Sequence, residues 1–203
     1  TANAPCSDFT DQLIFTLTKN PVANAGPDQV ACHATPYTLT GATAENYSIL
    51  SWEYEPASAG TLTDNNTLTP TFTPAADFAG GQVTFTLKAI GSASCGSQVA
   101  TDIMILTVTP QLMVNAGPDQ LIPTNSAAEF LGTVEGGSGF YVWNWSPNEL
   151  FVNENVYNPV TVLLTEDTEF TLSVLDLNSG CVGTDKVLVT LGAVVRPPDA
   201  IAD

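Results

Sequence analysis

Cations are the scarcest feature of this chain. Its 203 residues include four Lys or Arg and one His against 21 Asp or Glu, a formal charge of −17. So few scattered cations cannot build the basic patch that neutralises phosphates, which excludes nucleic acid as a partner. The same repulsion excludes an anionic membrane surface. No apolar run approaches the ~20 residues of a bilayer span, so membrane insertion is not expected. The start, Thr1-Ala2-Asn3-Ala4-Pro5, lacks the basic and apolar regions of a signal peptide. The expectation is an export signal already removed or a chain cut from something longer. No Cys-x-x-Cys spacing, Gly-rich phosphate loop or His pair occurs, so zinc and nucleotides have no foothold. No amphipathic helical stretch of useful length is found either. Charged residues are 12% of the chain and apolar ones 44%, which is not the composition of a disordered acidic tail.

What is present is an internal repeat. Asn24-Ala25-Gly26-Pro27-Asp28-Gln29 recurs letter for letter as Asn115-Ala116-Gly117-Pro118-Asp119-Gln120. The register continues without a gap, matching Gly41 with Gly132, Trp52 with Trp143, Tyr54 with Trp145 and Pro56 with Pro147. After small deletions the copies realign at Phe85-Thr86-Leu87 and Phe170-Thr171-Leu172. Each copy reads as short strands rich in Thr, Val, Ile and aromatics, separated by Gly, Pro and Asn. Val83 to Ala89 and Glu169 to Val174 alternate with period two, and Asp102 to Val108 and Lys186 to Leu191 close each copy. Strands at such spacing predict an all-β chain of two antiparallel sandwiches in tandem. The expected divisions are 21–110 and 111–192, with 1–20 as the last strand of a preceding repeat plus linker and 193–203 as a linker onward. Leu13, Phe15 and Leu17 alternate with Ile14, Thr16 and Thr18, a strand pattern that calls for a partner. Thr109-Pro110-Gln111 is the whole connection between the copies, which predicts a semi-rigid joint.

The hexapeptide, the Gly before a Trp-x-aromatic strand, and the Thr-Leu-x-Val before a Gly-Cys turn together resemble PKD-type immunoglobulin-like repeats. The resemblance covers residues 21 to 192. Phe140-Tyr141-Val142-Trp143-Asn144-Trp145-Ser146-Pro147, with Asn158-Pro159 and Asp176 to Cys181, resembles the variant found in very large surface proteins of gliding, type IX-secreting bacteria. The Trp-Asp-Phe-Gly-Asp-Gly signature of the family is replaced by Trp52-Glu53-Tyr54-Glu55-Pro56 and Trp143-Asn144-Trp145-Ser146-Pro147. The resemblance implies immunoglobulin-like sandwiches, with Trp52 and Trp143 as core aromatics on the strand that sends a ring inward. Tyr54 and Trp145, two residues on, point to the same face as their neighbours. Tyr141 and Tyr157 are the aromatics available for a sugar-stacking surface. The resemblance also implies calcium near the junction of tandem modules. Asn115, Asp119 and Asp176 occupy positions where the family carries oxygen side chains, whereas the first copy has Asn24 and Asp28 but Gly91 in place of Asp176. The competing use of Asp28 and Asp119 is to stabilise the turn after Gly-Pro. Apart from calcium, no cofactor is expected.

Four cysteines punctuate the chain, Cys6, Cys32, Cys95 and Cys181. Cys6, Cys95 and Cys181 share one place, the turn before the final strand. Cys32 follows the first hexapeptide, and its counterpart in the second copy is Pro123. Only the first full copy holds both partners, which predicts a Cys32–Cys95 disulfide worth about 4 kcal/mol and an oxidising compartment. The alternative is four reduced cysteines acting as small apolar residues. The lone His33 beside Cys32 is the one Cys–His pairing on offer, and Cys32 has the better use in a disulfide, so no enzyme is expected.

These readings favour a non-catalytic structural or adhesive repeat segment of a long secreted cell-surface protein, acting as a rod or stalk. The setting would be extracellular or on the surface of a bacterium, with roles in adhesion or gliding motility. Its partners would be neighbouring repeats of the same protein, surface glycans or other proteins. The alternative is a spacer or carbohydrate-binding module of a secreted polysaccharide-degrading enzyme.

Overall fold

A computed structural model describes residues 11–14, 19–92 and 98–192. The first half contains β1 (Val22–Asn24), β2 (Gln29–Ala31), β3 (Tyr37–Thr38), β4 (Thr43–Glu45), β5 (Ile49–Glu55), β6 (Gly60–Thr63), β7 (Thr71–Pro74), β8 (Gly81–Ile90) and β9 (Val99–Val108). The second contains β10 (Met113–Asn115), β11 (Gln120–Pro123), β12 (Thr133–Glu135), β13 (Tyr141–Ser146), β14 (Thr168–Asp176) and β15 (Val182–Gly192). The long strands form by period-two burial. Val83, Phe85, Leu87 and Ala89 point inward from β8, and Phe170, Leu172 and Val174 do so from β14. Two separate cores result, one around Trp52, Phe72 and Phe85, the other around Phe130, Trp145 and Phe170. The protein is an all-β tandem of immunoglobulin-like sandwiches.

The main sheets have one plan, β2-β9-β8-β5 in the first sandwich and β11-β15-β14-β13 in the second. Within each, the long pairs are antiparallel, but β2 runs parallel to β9 and β11 parallel to β15. That parallel edge decides where the cysteines go. The opposing layers differ. In the first sandwich it is a regular sheet, β3-β7-β6; in the second it is held by isolated bridges, Ser126 to Leu164, Glu129 to Val160 and Phe151 to Thr161.

The two expected core aromatics, Trp52 and Trp143, both pack against their cores, but to different depths. Trp52 is buried, but Trp143 is only half-buried, and Trp145 is the indole fully removed from water. Leu87 faces Trp52, four residues before Pro56, while Leu172 faces Trp145, two residues before Pro147. The second strand has therefore slipped by two relative to the first. A two-residue slip preserves which face each side chain occupies, so it costs no inversion of the pattern. The turn before the strand explains the slip: Asn46 to Ser48 in the first copy, against the longer Gly136 to Phe140 in the second. Each buried indole N–H donates to a loop carbonyl, Trp52 to Thr67 and Trp145 to Val156.

The strand expected over residues 1–19 lies mostly outside the described residues. Its described part, Asp11 to Ile14, has no strand pairing, and Leu13 and Ile14 are exposed.

Candidate functional site

The joint between the sandwiches gathers the chain's chemically distinctive groups. Cys32 bonds to Cys181, with the Cα atoms 5.6 Å apart and 149 residues of separation. This corrects the expected Cys32–Cys95 pairing. Because β2 runs parallel to β9, with Ala31 opposite Val108, Cys32 emerges at the far end of that sandwich. Ile90 and Val99, the ends of β8 and β9 between which Cys95 falls in the sequence, pair at the other end. Nine residues of strand separate Val99 from Val108, roughly 30 Å, and a disulfide requires Cα atoms within about 7 Å. Cys95 itself is outside the described residues. Cys181 sits at the near end of the second sandwich, one residue before β15, and so meets Cys32 across the joint.

The linker is clamped beside this bridge. Thr109 N–H donates to Ala31 O at 2.8 Å, and Gly137 N–H donates to Pro110 O at 3.2 Å. The loop that reaches back to the linker is the long turn that also causes the strand slip. Asp176 organises it. Its carboxylate accepts from the Ser138 backbone N–H, from the Ser138 hydroxyl at 2.7 Å, and from the Asn178 and Ser179 N–H groups at 2.9 and 3.2 Å. Asp176 N–H in turn donates to Cys181 O at 2.9 Å. Burial alone would push this carboxyl up, but the Ser138, Ser179 and Asn178 bonds outweigh it and hold it below the ordinary carboxylate range. Gly137 adopts φ +64°, and a Cβ there would lie 2.6 Å from the Asp176 Oδ2, so glycine is required. One carboxylate thus ties the Gly-rich turn and the Cys181 turn into a single surface.

A cleft of 520 Å³ runs along the bridge, lined among others by Cys32, His33, Pro110, Gln111, Cys181 and Val182. With Cys32 held in a disulfide, the Cys32–His33 pair has no thiolate to offer as a nucleophile.

The three expected calcium ligands are not brought together. Asp119 Oδ1 accepts from Leu188 N–H at 2.8 Å, and Leu188 faces Glu169 at the start of β14. Asp176 closes the same strand seven residues on, about 23 Å away. Asn115 Oδ1 accepts from Gly117 N–H at 2.7 Å in a local turn. Among the described residues, no group of three or more His, Cys, Asp or Glu is placed to hold a metal.

Instead, the hexapeptide is a lock, built twice. Asn24 caps Gly26 N–H at 2.8 Å as Asn115 caps Gly117. Asp28 accepts from Ile105 N–H at 2.8 Å as Asp119 accepts from Leu188. Ala25 N–H donates to Asp102 at 2.7 Å, and Ala116 N–H to Asp185 at 2.8 Å. The two last aspartates escaped the sequence reading, although a signal existed: Thr101-Asp102 and Thr184-Asp185 recur in the final strand of each copy. The aromatic row of the second sandwich offers no flat platform for a sugar. Tyr141 and Tyr157 meet Trp143 edge-on, at 83° and 60°.

No family model matches the chain, and no curated protein does. Solved structures with similar folds include the I-band fragment I67-I69 from titin, at 13% identity and TM-score 0.45 over 86% of this chain and 66% of that one. Sidekick-1 immunoglobulin domains 1–4 align at 13% identity and TM-score 0.40, over 85% of this chain and 49% of that one. The fibronectin(III)-like modules of Clostridium thermocellum CbhA align at 10% identity and TM-score 0.35, over 90% and 100%.

Proposed function

We propose that this chain is a non-catalytic structural or adhesive repeat segment of a long secreted cell-surface protein, of the PKD-type kind, working as a rod or stalk. The observation that carries the reading is the Cys32–Cys181 bridge. A joint crossed once by a short linker bends; a joint crossed twice, by Thr109-Pro110-Gln111 and by a disulfide, resists bending. The Asp176 network stiffens the same surface from within the second sandwich. A disulfide of this kind belongs to an oxidising compartment, which supports a place outside the cytoplasm. The charge of −17 keeps neighbouring segments from clumping.

Small-angle scattering tests the reading. The oxidised protein is expected to give one extended shape with a single maximum dimension, and reduction is expected to broaden the distribution of distances between the sandwiches. Oxidised protein that samples extended and folded-back arrangements alike would overturn the rod.

A further inference from the structure

Two covalent routes lead through this molecule. The backbone from Pro21 to Gly192 threads both sandwiches. The other route leaves the backbone at Cys32, crosses the bridge and rejoins it at Cys181, skipping a separation of 149 residues. We infer that the bridge is a mechanical bypass. Tension applied at the two ends is carried by the chain before Cys32 and after Cys181, and the segment between them cannot be drawn out.

The placement of the bridge within the strands supports this role. Cys32 lies immediately after β2 and Cys181 immediately before β15, so the tension path is strand, disulfide, strand. Trp52, Phe72, Phe85, Trp145 and Phe170, the large side chains of both cores, lie inside the skipped segment. The strands on the path are those that the two locks hold. In the first sandwich, the path carries the hexapeptide itself, tied by Ala25 to Asp102 and by Asp28 to Ile105. In the second it carries β15, tied by Asp185 to Ala116 and by Leu188 to Asp119, with Leu191 N–H donating to Asp167 at 2.7 Å. Backbone-to-carboxylate bonds therefore anchor each loaded strand to residues off the tension path, or to the strand beside it. The use of such a bypass in a cell rests on the rod reading; its existence does not.

Single-molecule pulling on the full chain through terminal tags, in a Cys6→Ser/Cys95→Ser background, tests it. The expected contour length at full extension is shorter for oxidised than for reduced protein by 149 residues' worth of chain, roughly 500 Å. Cys32→Ser/Cys181→Ser protein is expected to match the reduced length without reductant. Because the length is read on extended chain, the result stands even where a variant folds poorly. Oxidised protein that releases the full length overturns the bypass. A flexible joint in scattering together with the shortened contour would remove the rod and leave the bypass standing.

Discussion

The two sandwiches carry the same lock on the same sheet and close their cores in different ways. In the first, Phe72 comes from β7, a central strand of a regular three-stranded layer, and stacks between Tyr54 and Phe85 at 5.2 and 5.1 Å. In the second, Phe130 does that work from a segment held by single bridges, packing on Trp145 and Phe170 at 5.0 and 5.1 Å. The second sandwich also has Asp176 where the first has Gly91. Regular pairing supplies order to the first copy; side-chain hydrogen bonds supply it to the second, at the joint. A repeat can thus keep its lock letter for letter while the layer behind it diverges, because the lock's partners, the Ile105 and Leu188 N–H groups and the Asp102 and Asp185 carboxylates, all lie on the final strand.

The largest expected effect breaks the cores apart. Phe72→Ala should destabilise the first sandwich by about 3–5 kcal/mol, and Phe130→Ala should cost the second toward the lower end of that range, since a loosely bridged layer collapses into the cavity more readily. Denaturant titration followed at Trp52 in one variant and at Trp143 and Trp145 in the other reads the two separately. Equal costs would mean that the bridged layer is as stiff as the regular one.

Removing Asp176 should come next. Asp176→Ala removes a buried charged acceptor shared by donors of Ser138, Asn178 and Ser179 and is expected to cost the second sandwich about 2–3 kcal/mol. The sign with pH follows from its lowered pKa. The stabilisation is complete above the unfolded carboxyl value near ~4 and is lost as pH falls through the lower folded value. Acid titration should therefore weaken the second sandwich through this group, whereas Gly91 gives the first no such dependence. An Asp176→Asn protein with an unchanged acid profile would contradict this.

A smaller effect probes what the copies share. Asp102→Ala and Asp185→Ala each remove a charged acceptor from one backbone N–H, and each should cost about 2 kcal/mol in its own sandwich. Unequal losses would show that the lock is not equivalent in the two copies. The smallest effect is expected from a chelator. With Asp119 and Asp176 at opposite ends of β14, melting curves with and without it should coincide, and a shift would point to an ion held elsewhere.

The repeat, the strand periodicity and the sandwich class were readable because each rests on local spacing. The disulfide was not. Its partner depends on β2 pairing in parallel with β9, a long-range choice that sends Cys32 to the distal end and that no local pattern records. That Trp143 packs at the margin of its core while Trp145 fills the centre was hidden for a related reason. An ungapped alignment matches Trp143 to Trp52, but the longer Gly136–Phe140 turn slides the strand by two residues and puts Trp145 in the core. The calcium set failed because residues aligned to a family pattern were assumed to be neighbours. Asp119 and Asp176 each have a structural use that the sequence alone could suggest only for the first.

The chain's two methionines allow a direct measurement of the bridge across the joint. Cleavage of unreduced protein after Met104 and Met113 separates a fragment holding Cys6, Cys32 and Cys95 from one holding Cys181. The expected result on a non-reducing gel is that the two fragments remain joined, that reduction parts them, and that in Cys32→Ser protein they are apart from the start. Fragments that separate without reductant, with Cys32 found on Cys95, would contradict the stapled joint.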